Sequence, residues 1–197
     1  MSKILVVEHL TLDGVMQGPA RSDEDTRGGF DAGGWAQARS DPEMQEVIGA
    51  RMGGAWSLLV GRMTYEDFAE IWPNRPKPNP MGEALTNVEK FVASTSLTEP
   101  LAWQNSTLLR GDAIEAVAKL KHQHDKTLVI FGSGVLVQSL MRHELIDEYV
   151  LQIHPLVLGQ GRRLFPDDGT RANLTLFDSV TTATGVVVAT YQQPAAR

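Results

Sequence analysis

The sequence has no cysteine, no apolar run long enough to cross a membrane, and no excess of positive charge. Without cysteine the chain can form neither a disulfide nor a thiolate metal site, and no other metal-binding motif is present. A net charge of −6, with lysine and arginine scattered along the chain, argues against nucleic acid as the main partner. The N-terminal residues also lack the apolar core and cleavage site of a signal peptide. We therefore expect a cytoplasmic protein whose partner is neither nucleic acid nor a membrane, and which binds no metal.

The remaining composition is that of an ordinary globular protein. Of the 197 residues, 42% are hydrophobic and 21% are charged, which supplies enough apolar material for a sizeable core. This length suits one large domain or two small ones, and the prolines between Pro73 and Pro80 mark a possible linker. We predict a single domain over residues 1–197, because a cut at these prolines would leave strands that cannot be covered on both faces.

Short apolar runs alternate with helical patterns along most of the chain. Runs such as Lys3–Val7 and Trp56–Val60 are too short for helices and rich in β-branched residues, so we predict strands there. Two later helices carry residues suited to cap them, Asp41 and Asp112. After Phe165 only strands are predicted. Strand-helix repeats followed by strands alone predict an α/β fold with a mostly parallel central sheet, an antiparallel C-terminal strand and helices on both faces.

The first candidate site is the turn Gly132-Ser133-Gly134, which separates the predicted strand Thr127–Phe131 from a helix. Glycine lets the backbone approach a ligand closely. The first amides of the helix, at Val135 and Leu136, point outward with the positive end of the helix dipole. These features predict a phosphate-binding turn. The alternative is a turn that only joins strand to helix, since Val137 stands where a Rossmann fingerprint has its third glycine.

The second candidate site is the segment Gly61-Arg62-Met63-Thr64-Tyr65-Glu66. Here too a strand ends in glycine and a helix begins, with Arg62 and the Thr64 hydroxyl in its first turn. A guanidinium group gives bidentate hydrogen bonds to a phosphate monoester, and a hydroxyl beside backbone N–H groups suits a pyrophosphate. The alternative is a capped helix with an exposed arginine.

The C-terminal half of the chain carries a resemblance to a known family. It reads Leu145-Ile146-Asp147-Glu148-Tyr149, then His154-Pro155-Leu156-Val157-Leu158-Gly159-Gln160-Gly161, then Leu164-Phe165. This resembles the reductase family that joins the dihydrofolate reductases to the C-terminal reductase domain of the riboflavin-pathway enzyme RibD. In that family a G-S-G turn, a LIDE-like segment that starts a strand, and a P-V-x-L-G-x-G-x-x-L-F hairpin follow in this order. The resemblance extends from Lys3 to Tyr191 and implies a dihydrofolate reductase-like fold.

The resemblance also implies roles for single residues. It places NADPH on the two turns, with Arg62, Thr64 and Ser94 at the adenosine end and residues 132–136 on the pyrophosphate. Thr11-Leu12-Asp13-Gly14 is similar to an S-L-D-G-like element at the mouth of the nicotinamide pocket, so Asp13 is the candidate catalytic residue. From the residues alone, Asp13 caps a turn and Ser94 is a solvated turn residue. The family further implies a homodimer.

The implied activity is an NADPH-dependent reductase that transfers hydride to an electron-poor C=N, C=O or C=C bond of a small molecule. The named substrate hypothesis is reduction of 5-amino-6-(5-phosphoribosylamino)uracil, although the D-D-P-x-L-x-x-R element of the riboflavin reductases is missing. Dihydrofolate or pterin reduction is an alternative, but the carboxylates after Trp35, at Asp41, Glu43 and Glu46, are out of register. A non-catalytic NADPH-binding sensor or scaffold is the alternative from another class. The proton comes from a carboxyl group of raised pKa or through water, and no residue is identified for it.

Two further features stay open at the level of sequence. Residues 18–34 are polar and glycine-rich, and form either an active-site flap or a disordered connection. His9, His143 and His154 each lack a visible partner, and we interpret His154 as structural. No G-x-S-x-G elbow, P-loop or zinc triad is present, so nucleophilic and metal mechanisms have no support.

Overall fold

A computed structural model describes residues 1–194, so the final residues of the predicted domain, 195–197, lie outside the described part. The elements are β1 (Ile4–Thr11), α1 (Pro42–Met52), β2 (Trp56–Gly61), α2 (Arg62–Ile71), α3 (Pro80–Asn87), β3 (Lys90–Ala93), β4 (Ser106–Leu109), α4 (Ala113–Gln123), β5 (Thr127–Phe131), α5 (Gly134–Arg142), β6 (Glu148–His154), β7 (Thr175–Thr181) and β8 (Val187–Gln192). None of these helices combines the length and the apolar character needed to span a membrane.

All the strands belong to one sheet in the order β4-β3-β2-β5-β1-β6-β8-β7. Every pairing from β4 to β6 is parallel. The two remaining pairings, β6 with β8 and β8 with β7, are antiparallel. This arrangement confirms the predicted α/β fold with a mostly parallel sheet and an antiparallel C-terminal end.

Helices cover both faces of the sheet, as alternate side chains of β1 make clear. Ile4 and Val6 pack in a cluster with residues of α4 and α5, whereas Leu5 and Val7 pack against α1. The helices α2 and α3 share the α1 face, because Trp56 contacts both clusters on that side. Full burial of one such aliphatic side chain stabilises the fold by about 1.5–3 kcal/mol.

The strands β2 and β5 are neighbours, yet the helices that follow them leave on opposite faces. A crevice therefore opens between the carboxyl ends of these strands. Ligands of open α/β sheets bind at such a switch point, because the helix starts on both sides face the gap. The fold thus brings the starts of α2 and α5 to one place.

Two elements differ from what the sequence predicts. Helix α3 lies where the proline cluster indicates only a loop; Asn79 caps it by accepting from the amide of Gly82, and Pro80 occupies its first turn. The segment 155–165 is not a two-stranded hairpin. Instead it folds back on the turn after β1, where Val15 forms a bridge with Arg163.

Candidate functional site

The two predicted phosphate-binding turns contact each other directly. The backbone N–H of Gly61 donates to Ser133 Oγ at 3.0 Å, and the N–H of Ser133 donates to Thr64 Oγ1 at 3.0 Å. Sequence positions far apart are thereby joined into one surface at the switch point. The two hydroxyls serve first to hold the turns together, which leaves the backbone amides as the main donors to a ligand.

The backbone of the second turn is concave and strained. Gly132 has φ +63°, and Ser133 has φ 56° and ψ 38°, which is left-handed. A side chain at residue 132 would also bring Cβ to 3.3 Å from Thr64 Oγ1, so glycine is required there for two reasons. A left-handed residue other than glycine costs about 1–2 kcal/mol, and such strain clusters at functional sites.

The helices that start at these turns lack side-chain caps. No side chain accepts from the first amides of α2, which follows Gly61, or of α5, which follows Ser133. In contrast, Asp41, Asn79 and Asp112 cap α1, α3 and α4. Uncapped first-turn amides at the positive end of a helix dipole bind phosphate groups.

A cleft lies beside the start of α2, at the end of the crevice nearest β3. Its volume is about 320 Å³, and its lining residues are Arg62, Ala93, Ser94, Thr95, Ser96, Gly111 and Ala113. Arg62 Nη1 pairs with Glu66 at 3.0 Å, while Ser94 Oγ accepts from the amides of Ser96 and Leu97, each at 3.1 Å. The cleft therefore brings together Arg62 and Ser94, both predicted at the adenosine end.

Asp13 is held by hydrogen bonds from three groups. Its carboxylate accepts from Thr11 Oγ1 at 2.6 Å, from the amide of Gly159 at 2.8 Å and from that of Leu158 at 3.2 Å. The bond from Thr11 contributes most to lowering the pKa of Asp13 to about 2. A carboxylate ionised in this way is a poor proton donor at neutral pH. The carboxylate thus ties the turn after β1 to the segment at Leu158 and Gly159 instead of capping its own turn, and the catalytic role of Asp13 stays a prediction.

His9 and His154, predicted to lack partners, bind each other. His9 Nδ1 lies 2.9 Å from His154 Nε2, on the α1 side of β1 and β6. The ring of Trp35 packs edge-on against His154, with 5.2 Å between centroids. Desolvation lowers the pKa of His9 to about 3 and that of His154 to about 4, so both rings are neutral at pH 7.

Glu8 is the residue that sequence reasoning missed. It lies on β1, is only 3% exposed, and its Oε1 has no hydrogen-bond partner among the described residues. The backbone N–H of Gly132 lies against its carboxyl group. A single acid within the apolar run before Asp13 is the signal that could have identified it, since a buried carboxyl group without a cation is costly.

Residues 18–34 pack across this end of the sheet. Arg21 Nη2 donates to Asp67 Oδ1 of α2 at 2.6 Å, and buried Phe30 lies in a cluster with Val15. Immediately after the loop, Trp35 Nε1 donates to the carbonyl oxygen of Gln17 at 2.8 Å. These contacts favour the flap over the disordered connection.

The carboxylates of α1 face away from the crevice. Asp41 caps the helix by accepting from the amide of Glu43 at 3.0 Å. Glu43 and Glu46 are exposed, whereas the inner face of α1 is apolar and includes Met44 and Ile48. No carboxylate of this helix is therefore placed to contact a pterin.

Comparison with known proteins identifies the family. The model of the RibD C-terminal domain matches residues 2–188. The chain belongs to the RibD C-terminal domain family.

Three proteins illustrate the relationship. The uncharacterised protein YyaP of Bacillus subtilis (strain 168) is 30% identical over 138 residues, covering 68% of this chain and 72% of YyaP. The structure of a putative riboflavin biosynthesis protein from Shewanella sp. PV-4 matches with a TM-score of 0.72 and 22% identity, covering 98% and 99% of the two chains. Dihydrofolate reductase from Enterococcus faecalis, complexed with NADP(H) and RAB-propyl, matches with a TM-score of 0.57 and 13% identity, covering 97% and 96%. The two solved structures establish the common fold.

Proposed function

We propose that this RibD C-terminal domain protein is an NADPH-dependent reductase. The observation that carries the proposal is the meeting of two uncapped helix starts, those of α2 and α5, beside a cleft that contains Arg62 and Ser94. In this arrangement the amides at the start of α5 bind the pyrophosphate, and Arg62 binds the adenosine 2′-phosphate. The NADP(H) complex of the Enterococcus faecalis dihydrofolate reductase supports a cofactor of this kind.

The bound cofactor supplies a hydride to an electron-poor C=N, C=O or C=C bond of the substrate. The chain's own residues bind and orient both molecules and exclude water. Arg62 exchanges its contact with Glu66 for a phosphate, and the exposed position of this pair makes the exchange inexpensive. The loop of residues 18–34, held through Arg21 and Asp67, covers the site during reduction.

For the substrate we propose a small heterocycle, with 5-amino-6-(5-phosphoribosylamino)uracil as the first compound to test. The family and the riboflavin-related name of the Shewanella protein support a pyrimidine of this kind. The outward direction of Glu43 and Glu46 disfavours dihydrofolate or pterins, whose recognition in dihydrofolate reductases uses a carboxylate on this helix. The family also supports a homodimer, and exposed Leu176 and Phe177 on β7 are the first residues to mutate in testing it.

Titration with NADPH and NADH, followed by quenching of tryptophan fluorescence, tests the cofactor. Arg62→Ala should weaken the binding of NADPH by about 2 kcal/mol, or about 30-fold. The affinity for NADH should stay almost unchanged, because only NADPH carries the 2′-phosphate. Arg142→Ala is the matched control: this arginine lies at the far end of α5 and pairs with Asp168.

Equal losses of affinity for NADPH and NADH in Arg62→Ala would show that Arg62 does not contact the 2′-phosphate. No binding of either cofactor to the folded protein would refute the proposal. Tight NADPH binding without oxidation in the presence of pyrimidines, pterins, quinones or simple carbonyls would favour the sensor or scaffold.

A further inference from the structure

A buried acid lies on β1 at the crevice. The pairing of Val7 with Phe131 places Glu8 beside Gly132, the first residue of the α5 turn. Glu8 is 3% exposed, and Oε1 of its carboxyl group has no partner in residues 1–194. An unpartnered oxygen at this depth destabilises the fold, so its presence calls for an explanation, and a functional role is one.

Burial raises the pKa of Glu8 most, and the negative charge of Glu24, from the loop over the crevice, raises it further. The Glu24 carboxyl group is itself fixed, since Oε2 accepts from the amides of Ala20 at 2.6 Å and Arg21 at 3.1 Å. The guanidinium of Arg21 is committed to Asp67 at 2.6 Å. No cation within the described chain forms an ion pair with Glu8.

The strand order indicates which part of the cofactor comes nearest to Glu8. Ser94 follows β3, Arg62 follows β2 and the α5 turn follows β5, so the adenosine phosphate and pyrophosphate occupy these three strand ends. Neighbouring strands are about 4.8 Å apart, and the next strand is β1. The nicotinamide and the substrate therefore lie at the end of β1, which carries Glu8.

We propose that Glu8 is the proton donor of the reduction. This inference rests on the proposed function. As hydride adds to carbon, the π electrons of the C=N, C=O or C=C bond move to the second atom, which takes the proton of the Glu8 carboxyl group. Glu8 is left as a carboxylate, and a proton from water restores the acid.

The other titratable groups nearby are less suited to the step. Asp13 is ionised and occupied by Thr11 and two backbone amides. His9 and His154 are neutral, and proton loss from a neutral imidazole is unfavourable near pH 7. Among residues 1–194, Glu8 is the acid at the crevice that combines a raised pKa with an oxygen lacking a hydrogen-bond partner.

The first test needs no substrate. Below pH 4.5, the ordinary pKa of the group, Glu8 is protonated in both the folded and the unfolded chain. At higher pH the unfolded chain releases this proton while the folded chain keeps it, so stability falls as pH rises. Glu8→Gln lacks this loss, and its melting temperature should exceed that of the wild type by a margin that grows between pH 4.5 and 8. A margin independent of pH would show that Glu8 is ionised in the fold and would overturn the proposal.

The second test separates proton transfer from cofactor binding. Glu8→Gln should keep its NADPH dissociation constant within twofold of the wild type, while kcat with 5-amino-6-(5-phosphoribosylamino)uracil, or with another compound that the wild type reduces, falls about 10²–10⁴-fold. Glu43→Gln, an exposed acid on α1, is the matched control.

Unchanged kcat, or a parallel loss of NADPH binding, would refute a donor role for Glu8. If the wild type bound no NADPH, the proposed function would fail by itself. The pH dependence of Glu8→Gln stability would still report on the buried proton, so the two failures are distinguishable.

Discussion

The helices of this protein fall into two groups that differ at their first turn. Asp41, Asn79 and Asp112 cap α1, α3 and α4, whereas α2 and α5 start without a side-chain cap. Only the uncapped pair meets at the switch point of the sheet, through Gly61 and Ser133. The difference indicates that local stability is given up at the proposed cofactor site and is kept elsewhere.

The free energy of folding that is lost at these two helix starts can be compared with the total stability of a domain. The missing cap of α5 costs about 1 kcal/mol, glycine at the start of α2 costs only a few tenths, and the left-handed backbone of Ser133 costs a further 1–2 kcal/mol. The site thus costs about 2–3 kcal/mol, against a typical total stability of about 5–15 kcal/mol. A ligand that occupies both helix starts recovers part of this free energy.

The strongest test of this difference between the helices is to give α2 a side-chain cap. Gly61 has φ −84°, and a Cβ there would have its nearest neighbour 3.9 Å away, so a side chain fits. Gly61→Asp should raise the melting temperature because the new carboxylate caps the helix. It should also weaken the binding of NADPH by about 2 kcal/mol or more, because the carboxylate repels the phosphates of the cofactor. Gly61→Ala is the control for bulk and should change affinity much less. Retention of wild-type affinity by Gly61→Asp would place the phosphates elsewhere.

The converse change removes a cap from a helix outside the site. Asp41→Ala leaves the amide of Glu43 without its acceptor and should lower the free energy of unfolding by about 1 kcal/mol. Denaturant unfolding measures this loss, and the NADPH dissociation constant should stay unchanged. An affinity that fell together with stability would mean that α1 contributes to the cofactor site.

A comparison that depends on pH concerns the histidine pair. Below pH 6.5 the unfolded chain protonates His9 and His154, whereas the folded chain resists protonation down to about pH 4. Stability should therefore fall as pH decreases through this window, and His154→Gln should flatten the slope. Chemical denaturation at a series of pH values measures it. A change in NADPH affinity in the same variant would contradict a purely structural pair.

The sequence was most informative where structure is local. The turns at Gly61 and Gly132 could be predicted because a strand end, a glycine and a helix start are adjacent in the chain. The contact of His9 with His154 could not, since it depends on strand register between residues 145 positions apart. The environment of Glu8 has the same origin, because burial is decided by β5, β6 and the loop. Helix α3 was obscured by its prolines, although Asn79 and Pro80 form a regular helix start.

The hydrogen bonds that join Ser133 to Gly61 and Thr64 have a consequence for the abundance of the protein in the cell. They connect positions 72 and 69 residues apart, so the complete site exists only after β2 and β5 have paired. A cofactor that needs both turns binds the folded chain and not the unfolded one. At 100 times its dissociation constant such a ligand adds about 2.7 kcal/mol to stability. The abundance of this protein should therefore follow the cellular supply of reduced cofactor, with proteolysis removing the chains that are left empty.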